Sequence, residues 1–195
     1  MDLVEKTNKK ENILKVAQNL FAKFGLSKTT IEDIARKARM GKASIYYYFK
    51  SKESIYKEVV EKEGQVLQEK IITAVNAEQT PQKKIHTYFL TRMMALKELS
   101  NYYNALRDEY LDHYSFIAKA RQSYDVFETN LIATILQEGV QSSIFEIENI
   151  TLTAEAIVGA LKGLEYQWTM EVSVEHIKQN VDTLLKILFK GIEKR

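Results

Sequence analysis

Thr29-Thr30-Ile31-Glu32-Asp33-Ile34-Ala35, then Arg36-Lys37-Ala38-Arg39, then Met40-Gly41-Lys42-Ala43-Ser44-Ile45-Tyr46-Tyr47-Tyr48-Phe49, and finally Ser51-Lys52-Glu53 form the stretch on which the fold turns. Ile31, Ile34, Ala35 and Ala38 recur at helical spacing and form one buried stripe. Thr29 is expected to cap this short helix, with Glu32 completing a capping box. Gly41 marks a turn, and residues 42–49 read as a second short helix. Ala35 and Ala38 are small enough to let the two helices approach. This is the grammar of a helix-turn-helix. In the second helix Ile45 and Phe49 lie on one inward stripe. Tyr46, Tyr47 and Tyr48 are consecutive, and at about 100° per residue they cannot all follow it. At least two tyrosines must face outward, beside Lys42 and Ser44. Tyrosine hydroxyls bond phosphate oxygens, and the rings pack on sugars or thymine methyls. Lys52, in the first turn of the following helix, sits where free amides and the helix dipole favour an anion.

Working outward, the charge is unevenly placed. The chain of 195 residues carries a formal net charge of only +2. Residues 1–52 hold 12 Lys/Arg against 5 Asp/Glu, whereas residues 53–195 hold 16 against 21. A basic head on an acidic body points to a polyanion-binding module joined to another kind of domain. With 45% hydrophobic residues the chain can build a core, and with no cysteine it has neither disulfides nor thiol chemistry. Its longest apolar run is Ile45 to Phe49, far short of the roughly 20 residues that span a bilayer. Charges interrupt the N-terminal stretch too often for a signal peptide. A soluble, cytoplasmic protein with no membrane partner is expected.

One proline and seven glycines leave little turn punctuation, which suits long helices. The fold class expected is all-α. Ile13, Leu14, Ala17, Leu20, Phe21 and Phe24 give an amphipathic helix ending at Gly25. Ser51 caps a long helix from Lys52 to about Val75, and Thr80-Pro81 starts another. Further helices are expected at roughly 81–99, 102–112, 115–140, 153–170 and 174–193, with no sheet. The domains expected are a helix-turn-helix head over 1–52, a connecting helix over 52–75, and a helical regulatory and dimerisation domain over 76–195.

The run from Thr29 to Glu53, with its spacing of Thr30, Ile34-Ala35, Gly41, Ser44-Ile45-Tyr46, Tyr48-Phe49 and Ser51-Lys52-Glu53, resembles the N-terminal domain of TetR-family transcriptional regulators. The resemblance covers about residues 9–56. It implies that Thr30 and Lys52 bond phosphates on either side of a groove. Lys42, Ser44 and Tyr47 would then face base edges, while Tyr46 and Tyr48 grip phosphates. Where the family usually has Ser or Thr this chain has Gly41, so one capping hydroxyl is missing. One recognition helix reads too few base pairs for a genomic operator. A homodimer on palindromic double-stranded DNA solves this, and the family's usual output is repression.

In the C-terminal part, Ala156, Gly159, Ala160 and Gly163 form a stripe of small residues. The last helix has an apolar face too wide for one neighbour, including Val181, Leu184 and Leu188. Together these resemble the two-helix dimerisation face of the family. Aromatic and methionine residues crowd 86–131. Phe89, Met93, Tyr103, Tyr110 and Phe127, with Trp168 and the polar Arg107, are candidates to line a pocket for a small, largely apolar effector. Plain core packing explains the same pattern. No cofactor is expected. A helical metal enzyme would draw on Glu109, Asp112 and His113, but Glu-x-x-His occurs nowhere, so no metal site and no enzyme are expected. A DNA-binding protein without small-molecule input is the remaining alternative.

Overall fold

The computed structural model describes residues 3–107, 111, 113–170 and 173–193, and their side chains apart from those of 3–4, 106–107 and 165–170. The described helices are α1 (Leu3–Lys28), α2 (Ile31–Ala38), α3 (Lys42–Tyr48), α4 (Lys52–Asn76), α5 (Pro81–Glu98), α6 (Ser100–Arg107), α7 (Ser115–Gln141), α8 (Ile150–Met170) and α9 (Val174–Ile192). The fold is all-α, and the only β pairing among the described residues is an isolated bridge between Phe145 and Glu193. No described helix is long and apolar enough to cross a membrane.

Two compact units share this chain. The first comprises Met1–Gly64 with Ser100–Ala118, the second Gln65–Leu99 with Lys119–Arg195. The Asn76–Thr80 turn therefore lies inside the second unit.

In the first unit α1 turns Ile13, Leu14, Ala17 and Phe21 inward. Ile31, Ile34 and Ala35 of α2, which packs on α1, and Ile55, Tyr56 and Val59 of α4 are buried as well, with the Phe21 and Tyr56 rings edge to face at 5.1 Å. The helical course of α1 breaks at Gly25, whose φ of 78° is open to glycine without a Cβ penalty. Glu63 is buried in this unit too. Its carboxylate accepts bonds from Gln18 Nε2 (2.8 Å), Asn101 Nδ2 (2.6 Å) and the Tyr102 backbone amide (2.9 Å). Three donors from α1 and α6 thus replace the water that a buried carboxylate would otherwise lose. Beside it, a Cβ on Gly64 would stand 2.6 Å from the Tyr102 ring, so this close approach requires glycine.

In the second unit α5 packs on α8 and α9. Thr80 caps α5, accepting from the Lys83 amide, and Pro81 opens the helix where no amide is needed. Ile177, Val181 and Leu185 of α9 point inward at i, i+4 and i+8. The chain after α7 returns onto α9, where the Glu146 amide donates to the Ile192 carbonyl at 2.8 Å and the Phe145 ring stacks on Phe189 at 6.1 Å. Phe145 lies so close to Gly139 that no Cβ fits there. Helix propensity alone favours Gly139→Ala by roughly 1 kcal/mol. We expect the reverse, a loss of about 1–3 kcal/mol from overpacking. Urea unfolding followed by circular dichroism checks the sign, and an unchanged or raised midpoint contradicts it.

Candidate nucleic-acid interface

Helix α2 begins one residue later than its sequence indicates. Thr30, not Thr29, is the N-cap. Its Oγ accepts from the Asp33 amide at 3.1 Å, and the Asp33 carboxylate accepts from the Thr30 amide at 3.3 Å and from its hydroxyl at 2.6 Å. The capping box is Thr30/Asp33 rather than Thr29/Glu32. Thr29 is buried instead, donating its hydroxyl to the Gly25 carbonyl at 2.9 Å, and so satisfies the broken end of α1. The Thr30 hydroxyl holds the Asp33 carboxyl below its ordinary value.

Arg39 ends α2 in the left-handed conformation (φ 57°), and Asn12 of α1 donates to the Ala38 carbonyl at 3.3 Å, fixing where the turn begins. Gly41 caps α3 with no side-chain bond, as its missing hydroxyl requires. Ile45 is fully buried and Phe49 nearly so, which orients the rest of α3. Lys42, Ala43 and Ser44 are exposed, and Tyr46 and Tyr47 are 48% and 65% exposed. Two tyrosines therefore project outward, as the helical spacing demands.

Tyr48 differs. It is half-buried against Tyr47, ring centroids 5.0 Å apart, and its hydroxyl is buried with no hydrogen-bond partner among the described residues. Lys6 Nζ sits 4.9 Å from the Tyr47 ring centre, bringing a cation from α1 to the same surface. Lys42 pairs with Glu32, which raises the lysine pKa and lowers that of the carboxyl. Both partners are exposed, so water and salt screen the pair and a phosphate or base can replace it. Thr30 is exposed at the start of α2. Lys52 opens α4, its ammonium 3.4 Å from the Ser27 carbonyl. Ser51 and Ser54 cap that helix reciprocally at 3.2 Å. The result is a rigid three-helix frame that presents a short cationic, phenolic helix to solvent.

Residues 13–59 match the family described as bacterial regulatory proteins, tetR family. Over that stretch the chain is similar to the TetR-family N-terminal domain. The HTH-type transcriptional regulator QacR of Staphylococcus aureus is 25% identical over 189 residues, 94% of each chain. The S. aureus negative regulator of the biofilm operon icaADBC, IcaR, is 45% identical over 51 residues, 26% of this chain and 27% of its own. Among solved structures, a transcriptional regulator from Cytophaga hutchinsonii superposes with a TM-score of 0.76 at 29% identity, over 94% of this chain and 98% of that one. These relatives are transcriptional regulators rather than enzymes, and the stretch they share most closely with this chain is the helix-turn-helix.

The other residues singled out in the sequence fall in different places. Ala156, Gly159, Ala160 and Gly163 are exposed along α8, in line with Leu152 at 61% exposure. Leu184 and Leu188 of α9 are half-buried. Val181 is fully buried within the second unit, so it serves the chain's own core and not an outer face. Phe89 and Met93 are buried in the second unit and Phe127 is half-buried there, whereas Tyr103 is buried in the first. Tyr110, Glu109 and Asp112, and the side chains of Arg107 and Trp168, lie outside the described residues. Among the described residues no group of three His, Asp or Glu is placed to hold a metal.

One constellation escaped the sequence reading. Glu128 of α7 is fully buried and accepts from the Tyr88 hydroxyl at 2.6 Å and from Arg92 Nε, both on α5. The Arg92 guanidinium lies 5.7 Å from the Tyr124 ring centre, and Lys162 of α8 stands 3.9 Å from the same carboxylate. Burial and the adjacent carboxylate push the Tyr88 hydroxyl well above its ordinary pKa. A signal did exist. Arg92 continues the buried stripe of Ile85, Tyr88 and Phe89, and Glu128 follows Tyr124 by four residues. Charges at such positions are rarely buried unless paired.

Proposed function

We propose that this regulator is a cytoplasmic homodimeric repressor that binds a palindromic operator and is released by a small, largely apolar ligand. In this reading Lys42, Ser44 and Tyr47 read base edges, while Thr30, Tyr46 and Lys52 hold phosphates, and Tyr48 joins them by turning its buried hydroxyl outward. The exposed Tyr46 and Tyr47 beside Lys42 carry it, because apolar rings on a solvent-facing helix are explained by a partner that covers them. The exposed small-residue stripe of α8 supports a two-fold interface with α9, since small residues allow close helix approach and a C2 axis pairs one patch with itself. Phe89, Met93 and Phe127 support an effector pocket in the second unit, near the buried Arg92–Glu128 pair.

Selection of genomic fragments by the purified protein tests this reading. A palindrome should emerge, with half-sites about one helical turn apart or slightly further. Affinity should fall steeply with salt, by about 0.9 in log–log slope for each phosphate neutralised. Recovery of unrelated fragments with no shared motif, or binding indifferent to salt, contradicts it.

A further inference from the structure

Two acids stand in the first turn of α2, and they have different tasks. The Asp33 carboxylate is committed to its own helix, accepting from Thr30 and Arg36. Glu32 instead reaches across to α3, where the Lys42 ammonium donates to its Oε1. Both side chains of this pair are open to a partner, at 59% and 52% exposure. Lys42 also lies 6.0 Å from the ring centre of Tyr46, so the pair sits on the phenolic face of α3. The bond to Lys42 holds the Glu32 carboxyl below its ordinary value, which keeps it ionised. An anion on a DNA-facing surface is repelled by a duplex carrying one phosphate charge per roughly 1.7 Å. A base donor offsets that cost. In the major groove those donors are the amino groups of cytosine and adenine.

Resting on the reading of Lys42 as a base contact, we propose that Lys42 and Glu32 together read one G·C base pair. The ammonium takes guanine O6 and N7, and the carboxylate accepts from cytosine N4. The spacing matches. Guanine O6 and cytosine N4 are hydrogen-bond partners across the base pair, roughly 2.9 Å apart. The ammonium and carboxylate are in the same kind of contact, with the polarity reversed. Capacity matches too, because an ammonium has three donors and a carboxylate about four acceptor sites. Each keeps room for a base after pairing with the other. An A·T pair fits less well. Its N6 donor is flanked by the N7 acceptor, which repels the carboxylate, and thymine sets a methyl beside its lone acceptor O4. A reversed C·G pair sets ammonium against amino group and carboxylate against O6. Glu32 therefore fixes both the identity and the orientation of the pair, where a lysine alone tolerates other acceptors.

Selection from random duplex DNA with the parent, Glu32→Gln and Lys42→Met tests this, with circular dichroism following the fold of each. The parent should select a motif with one G·C per half-site in fixed orientation. Both variants should lose that preference at that position and at no other. On the parent's operator, replacing this G·C by A·T or reversing it should weaken the parent about tenfold or more. For Glu32→Gln, whose amide suits adenine, the loss with A·T should shrink to about twofold or less. A Glu32→Gln motif identical to the parent's, with affinity raised equally on every sequence, overturns the proposal. It would leave Glu32 as a surface partner of Lys42 and nothing more. Variants that alter different positions overturn it as well, and so does a parent indifferent to reversal of every G·C in its motif. Those outcomes leave the parent's palindrome intact. A parent that selects no motif at all is a different result, and it overturns the DNA reading itself.

Discussion

Glu128→Ala is expected to remove about 3–5 kcal/mol of stability, the cost of leaving a buried charge without its partner. The carboxylate is fully buried, as is the Arg92 guanidinium at 1% exposure, and Tyr88 donates to the same oxygen. Removing the acid strands two donors where water cannot reach them, and Lys162 loses an anion as well. Arg92→Leu should be comparably severe for the mirror-image reason. The double variant Arg92→Leu/Glu128→Leu should recover much of the loss, because apolar groups of similar volume need no partner. Urea unfolding of the four proteins completes the cycle. Single variants within about 1 kcal/mol of the parent would show that the pair carries little.

Gly159→Glu should have the largest effect on DNA binding of any change outside the reading head. A Cβ at Gly159 meets nothing within 4 Å inside the chain, and the same holds for Gly163. Replacing a mid-helix glycine there should stabilise an isolated chain by several tenths of a kcal/mol or more. Only a second chain lying against α8 would object to the new side chain, and it would meet a buried, unpaired carboxylate. We therefore expect a protein that melts no lower at low concentration but sediments as a monomer. Its operator affinity should fall by about 100-fold or more, since two half-sites no longer act together. A dimer of unchanged strength would remove α8 from the interface.

The elements were largely legible because each boundary has a local cause. Thr80-Pro81 and Ser51 cap the helices they precede, and Gly25 interrupts α1 where its φ turns positive. The register of the α2 cap was not legible. Thr29 and Thr30 are chemically alike, as are Glu32 and Asp33 three residues on, and only the tertiary burial of Thr29 decides between the two boxes. On the reading helix the periodicity of Ile45 and Phe49 determined which neighbours face water. On α9 the same logic was ambiguous. A wide apolar face contains both an inner stripe and an outer one, and Val181 falls on the inner. The Arg92–Glu128 pair joins α5 to α7 across 36 residues of sequence, so each charge's place on a buried stripe hints at burial but not at its partner.

The three bonds to Glu63 bear on how this protein is made. Two of them come from Asn101 and Tyr102, which belong to the first unit although α5 intervenes. A ribosome adding roughly 5–20 residues per second releases the whole helix-turn-helix seconds before that clasp can form. Until then Glu63 lies in water with only Gln18 in reach, and the nascent reading head lacks one side of its core. Gene fusions that transplant residues 1–64 alone onto another regulator would freeze the head in that unfinished condition. Exchange of DNA specificity between relatives should therefore succeed when residues 100–118 travel with it.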